Sequence, residues 1–148
     1  LPGARWNIDI KSDDGVDPTT DLLSKMGVLD DVCLASFSHS RLVRIREKLP
    51  QVVTSASQRE AAQMVLGLGV PKAPRIFQVP VSHARVPVVT RSFVRRAHKA
   101  GKFVHVWTID EPEEMHRLAD LGVDGIMTDR TDLLKDVLLA RGQWKEPA

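Results

Sequence analysis

The chain has 148 residues, 43% of them hydrophobic and 27% charged, with a net charge of +2. That is one domain's length with enough apolar side chain for a core, and mixed charge without a basic run among aromatics gives no support to a nucleic-acid partner. A single cysteine, Cys33, excludes an intramolecular disulfide and reads as a buried core thiol, and no run of 18 apolar residues is present to span a membrane.

The chain opens on Leu1-Pro2-Gly3-Ala4 rather than Met, a few residues before its first strand, and so reads as a processed, tagged or truncated product without a signal peptide. Trp6 to Lys11 alternates, which predicts a strand. Trp6, Ile8 and Ile10 form an apolar face suited to packing against helices, and Asn7, Asp9 and Lys11 form the polar one. Positions i and i+2 of a strand share a face roughly 6–7 Å apart, so Asp9 and Lys11 look into one space. On an edge strand that space is water; inside a barrel it is the interior near one rim, and the pair becomes a site.

Ser12-Asp13-Asp14-Gly15 is a polar turn. Asp17-Pro18 reads as cap and first residue of a helix to about Met26, closed by Gly27. Val32 to Phe37 is a near-continuous apolar run, as in parallel strands buried on both faces. A helix from about Ser40 to Lys48 puts Leu42, Ile45 and Leu49 inside and Arg41, Arg44 and Lys48 outside, and Pro50 stops it. Gln51 to Ser55 is a short strand. Ser57 with Glu60 matches a capping box for a helix to about Leu68.

Residues 69–90 hold Pro71, Pro74, Pro80 and Pro87, with a strand expected over Arg75 to Val79 and a long loop carrying His83 and Arg85. A helix over Arg91 to Ala100 ends at Gly101. Phe103 to Thr108 is a strand with Trp107 near its end, and Asp110, Pro112 and Glu113 start a helix that ends at Gly122. Val123 to Thr128 is the last strand, and Thr131 to Arg141 the last helix, with Leu133, Leu134, Val137 and Leu138 as its buried stripe.

Six strands, each followed by a helix or loop, predict parallel βα units in an α/β fold. Their C-terminal ends are polar: Asp9 and Lys11, Ser36, Ser55, Gln78, Trp107 and Thr108, Thr128 and Asp129. Active sites of (β/α)8 barrels are built at that end, but such a barrel has eight strands and usually about 250 residues, so six strands fall two units short.

Four segments in order carry a family resemblance. Val104-His105-Val106-Trp107-Thr108-Ile109-Asp110, then Glu114-Met115, then Leu121 to Arg130, resemble the C-terminal signature of the glycerophosphodiester phosphodiesterase family. Asn7 to Lys11 resembles its strand with an acidic residue two before a lysine. Ala35-Ser36-Phe37 with Arg41-Leu42 resembles its serine-phenylalanine strand end, and Ala97 to Gly101 its approach to the tryptophan strand. The resemblance spans about Ala4 to Gly142.

It implies a TIM-barrel type (β/α)8 fold that is incomplete here. Residues 1–148 would form a single domain holding the third to eighth βα units and lacking the first two. It implies hydrolysis of glycerophosphodiesters to glycerol 3-phosphate and an alcohol, with a divalent cation, Ca2+ or Mg2+. Asp9 falls on the family's third metal carboxylate, usually glutamate, and its shorter arm needs a displaced ion or a bridging water. Lys11 falls on the lysine that would offset phosphate charge, and Trp107 on a tryptophan at the pocket mouth contacting substrate. The family's two catalytic histidines and its other two metal carboxylates lie on the two units not present here. The general acid and base are therefore absent from this chain, and the isolated chain is expected to be inactive. The competing expectation is a non-catalytic barrel remnant, a binding or assembly module whose exposed strand edges at Trp6 to Lys11 and Val123 to Thr128 invite self-association.

The five histidines do not supply a replacement pair. His98 and His116 read as solvated helix residues, His105 as a polar residue lining the interior beside Trp107, His83 as part of the proline-rich loop, and His39 has no assigned role. Asp17, Ser57 and Asp110 read as helix caps, and Asp129 as a cap of the last helix.

Overall fold

Parallel strand–helix alternation organises the chain, and the computed structural model describes residues 3–145. The opening pair Leu1-Pro2 lies outside the described residues. The chain divides into two compact units, residues 1–77 and 78–148.

In the first unit β1 (Trp6–Asp9), β2 (Val32–Ala35) and β3 (Val53–Thr54) form a sheet in that order, all parallel, with Trp6 opposite Val32 and Cys33 opposite Val53. The helices between them are α1 (Val16–Met26), followed by one 3-10 turn over Leu29–Asp31, and α2 (His39–Lys48). After β3 comes α3 (Gln58–Val65). All four residues of β2 are buried, as a doubly covered parallel strand requires. The core gathers Ile10, Val16, Leu23, Val32, Leu34, Leu42, Ile45, Leu49 and Val52. Cys33 is buried as expected, and desolvation pushes its thiol pKa up to about 11, which leaves it unreactive at neutral pH.

The strands β4 (Ile76–Pro80), which starts in the last two residues of the first unit, β7 (Phe103–Trp107) and β8 (Gly125–Ile126) form the sheet order β4-β7-β8, with β7 and β8 parallel. Between them lie the small hairpin β5 (Ser82–His83) and β6 (Val86–Pro87), and the helices α4 (Arg91–Lys99) and α5 (Pro112–Leu121); α6 (Thr131–Ala140) closes the second unit. Phe93, Val94, Val104, Val106, Met115 and Leu118 are among its buried side chains.

Helix ends follow local chemistry. Ser57 accepts from the Glu60 amide while the Glu60 carboxylate takes the Ser57 amide, the capping box read from the sequence. Ser38 and Thr90 cap α2 and α4 through the amides of Arg41 and Phe93. Gly27 and Gly122 end α1 and α5 in the left-handed region.

Several expectations are corrected. Trp6 is 54% exposed, so the apolar face of β1 is covered only from its C-terminal end, where Ile10 is buried. β1 is the outer strand of its sheet, with cover for one end of that face only. Asp17 is not a cap: α1 begins at Val16, capped by Gly15, and the Asp17 carboxylate pairs with Arg44 and Lys48. Asp110 does not cap α5, whose N-cap is Glu111; it accepts from Thr128 and from the Asp129 amide. Asp129 does not cap α6, whose N-cap is Arg130. The loop with His83 and Arg85 is a tight hairpin, turned by Ala84 and Arg85 at φ 48° and 66°. α3 stops at Val65, three residues early, and β8 is two residues long.

Candidate functional site

Asp9 ends β1, and Lys11 follows across the buried Ile10. Their side chains meet, Nζ to Oδ2 at 3.4 Å, with Lys11 82% exposed and Asp9 half-buried at 33%. The same-face placement read from the alternation is therefore present, and the pair is wet enough that its net attraction is small.

The strand end that carries the pair is fixed from behind. The carbonyl oxygen of Ile10, between Asp9 and Lys11, accepts from the Ser36 hydroxyl at 2.8 Å and from Nη1 of Arg41 at 2.9 Å. The same Nη1 donates to Ser36 Oγ at 2.9 Å, and Nε of Arg41 to Asp13 at 2.8 Å. The Ile10 amide donates to the Ala35 carbonyl at 2.8 Å. Arg41 was expected on the outer face of α2, but only 14% of its side chain is exposed, because it turns back under the β1 end. Spacing within α2 could not show this, since the partners are 28 and 31 residues away.

A second polar cluster sits under the ends of β2 and β3. Arg46 forks onto both oxygens of Glu60 at 2.7 and 3.1 Å, and donates to Thr54 and to the Ser55 carbonyl, each at 2.9 Å. Ser57 links Glu60 to Nδ1 of His39, 3.1 Å away. Burial alone would raise the Glu60 pKa. The Arg46 hydrogen bonds, the Ser57 amide, the Arg46 charge and the Ser57 hydroxyl outweigh it and hold the pKa below the ordinary glutamate value. Glu60 is a structural anion here, already saturated with donors.

In the second unit Trp107 ends β7, partly buried, and its peptide to Thr108 is cis. His105 shares its face two residues earlier and is half-buried; desolvation lowers its pKa, against a smaller raising effect of Asp124. His98 is not simply solvated: Nε2 meets Oδ2 of Asp124 at 2.8 Å, and the same oxygen accepts the Val104 amide. His116 lies 3.4 Å from Nη1 of Arg141.

Gly125 stands opposite His105 in the parallel register, and a Cβ there would lie 2.7 Å from His105 Cδ2 and 3.0 Å from Cγ. Gly125→Ala is expected to cost about 2 kcal/mol by overpacking, read as a lowered urea midpoint. In the His105→Ala background the same change should cost under about 0.5 kcal/mol, a coupling that a double-mutant cycle isolates.

A hard divalent cation takes six or more oxygen ligands. Among the described residues no group of three or more His, Cys, Asp or Glu side chains is placed to hold a metal ion, and Asp9 is the one carboxylate paired with Lys11. The described residues do not fit a divalent metal centre by themselves.

The comparisons with known proteins agree with one another. The model of the Glycerophosphoryl diester phosphodiesterase family matches residues 5–133. The "Probable glycerophosphodiester phosphodiesterase 2" of Mycobacterium tuberculosis (strain ATCC 25618 / H37Rv) is 40% identical over 155 residues, covering 97% of this chain and 58% of that protein. Among solved structures, a glycerophosphodiester phosphodiesterase from Agrobacterium tumefaciens str. C58 superposes with a TM-score of 0.71 at 22% identity, over 90% of this chain and 55% of the other. An Oleispira antarctica phosphodiesterase in complex with the product sn-glycerol-3-phosphate superposes at 0.64 with 16% identity, over 90% and 55%. The chain spans little more than half the length of these relatives.

Proposed function

The chain belongs to the glycerophosphoryl diester phosphodiesterase family, and on that footing we propose that it is the larger part of a barrel that hydrolyses glycerophosphodiesters to glycerol 3-phosphate and an alcohol. The observation that carries the reading is the match over residues 5–133, which runs through both units and includes Asp9, Lys11 and Trp107. One barrel-type domain lacking its first two βα units accounts for that extent.

In this reading the exposed ammonium of Lys11 meets the phosphoryl oxygens. It stabilises the negative charge that spreads over them as the P–O bond to the leaving alcohol breaks. Trp107 offers an apolar wall to the glycerol or the alcohol. Asp9 pairs with Lys11 in the described residues, and its role as a metal ligand requires further oxygen donors that these residues do not provide. No step is assigned to a metal here. By the family resemblance the general acid and base lie outside residues 1–148, so the 148-residue chain alone is proposed to be inactive, since each missing group costs about 10²–10⁴-fold.

The test is release of sn-glycerol 3-phosphate from glycerophosphocholine with Ca2+ or Mg2+ added. The purified chain should give none above background. The same chain joined behind the part of the Mycobacterium tuberculosis relative that precedes the matched region should give metal-dependent release. Turnover by the chain alone within about tenfold of that relative would overturn the proposed inactivity, and a folded but inactive fusion would overturn the proposed function.

A second reading, an assembly module, is favoured by one observation: exposed Trp6 on the outer strand β1, together with exposed Leu22 and Met26 on α1. A dimer in light scattering that dissociates on Trp6→Lys carries that reading, and a monomer removes it.

A further inference from the structure

The outer face of α4 carries charge that the rest of the molecule does not neutralise. α4 contains Arg91, Arg95, Arg96 and Lys99 and no acidic residue. Taking those four charges from a net of +2 leaves −2 on all other residues together. Phe93, Val94 and Ala97 are the buried side of α4. Arg91, Arg95 and Lys99 recur every four residues on the opposite side, exposed, as a stripe about 12 Å long.

A basic helix need not be left this way. The other one, α2, is equally rich in cations, and each has an acid: Arg41 with Asp13, Arg44 with Asp17, Arg46 with Glu60, and Lys48 with Asp17 and Asp21. Arg91, Arg95 and Lys99 have no hydrogen bond or ion pair with another described residue. Asp124, the acid that meets α4 through His98, also accepts the Val104 amide. Like charges at i, i+4 destabilise a helix, so the stripe does not serve folding.

We infer that the outer face of α4 docks on the surface of an anionic lipid bilayer. The stripe runs about 12 Å along the helix rather than converging on one point, so its partner is extended. α4 is seated on the protein along its whole buried side, which keeps it from entering a nucleic-acid groove. A flat leaflet accepts such a stripe whole. No large apolar residue lies on this face to insert, so the contact is electrostatic and salt-sensitive. It is independent of the hydrolytic reading and of the Asp9–Lys11 site.

The test is co-sedimentation of the full chain with vesicles of phosphatidylglycerol and phosphatidylcholine, against phosphatidylcholine alone and against duplex DNA. Binding to the anionic vesicles at low salt is expected, lost at high salt. The triple variant Arg91→Gln, Arg95→Gln, Lys99→Gln should bind them about 100-fold more weakly, from the contribution of each basic residue near an anionic leaflet. The triple variant Lys25→Gln, Arg44→Gln, Lys48→Gln loses the same net charge and should bind as the parent does. Equal binding to phosphatidylcholine, an equal loss in both variants, or tighter binding to duplex DNA at the same salt would each overturn the inference.

Discussion

Glu60→Ala is expected to lower the stability of the chain by about 3 kcal/mol, read from urea unfolding at neutral pH. Glu60 and Arg46 are both nearly sequestered, with side-chain exposures of 7% and 16%. Removing the carboxylate strands a buried guanidinium and also deprives the Ser57 amide and hydroxyl of their acceptor. The loss therefore exceeds that of a surface pair, which is under about 1 kcal/mol. Lys48→Ala, cutting the exposed contacts to Asp17 and Asp21, sets that lower scale in the same molecule.

The effect has a pH signature. The folded-state pKa of Glu60 is lowered relative to an unfolded glutamate. Its ionised form thus contributes stability that is complete above the unfolded value of about 4.3 and is lost as pH falls through the lower folded value. Glu60→Gln keeps the shape and removes the charge. Its deficit against the parent should be largest at about pH 7 and shrink towards about pH 3. A deficit that grows on acidification would show that the carboxylate is not held ionised by Arg46 and Ser57.

The second large effect concerns chemistry. In the fusion that restores the preceding part of the barrel, Lys11→Met should lower kcat/KM by about 10²–10³-fold. Melting temperature should barely move, because Lys11 is 82% exposed and its contact with Asp9 is solvated. Lys11→Arg should recover part of the rate, since the charge stays while its position shifts. A fall confined to KM would place Lys11 in ground-state binding, and an unchanged kcat/KM would remove it from the proposed site.

What the sequence revealed and what it hid divide along the range of the interactions. The capping box at Ser57 and Glu60 was legible because its parts are three residues apart. The parallel βα alternation was legible because each apolar run and each helical stripe is a local pattern. The Asp9–Lys11 pair followed from strand periodicity alone. Arg41, Arg46 and Asp110 were misread or missed, since each satisfies an atom on another element: the Ile10 carbonyl, the Glu60 carboxylate, the Thr128 hydroxyl. A carboxylate before a helix looks like a cap whether or not a distant donor claims it first. Trp6 was misplaced for a related reason, because alternation says which residues share a face and not whether anything covers it.

The recorded strand pairings have a consequence for how the polypeptide is made. Trp6 meets Val32, Cys33 meets Val53 and His105 meets Gly125, partners only about twenty to twenty-six residues apart. Closing loops of that length costs little chain entropy, and doubling one adds about 0.6 kcal/mol. Each sheet can therefore zip up from near neighbours. The residues of the first core, Ile10 to Val52, have all left the ribosome before β7 is translated, so the order of synthesis and the order of assembly run the same way along the chain.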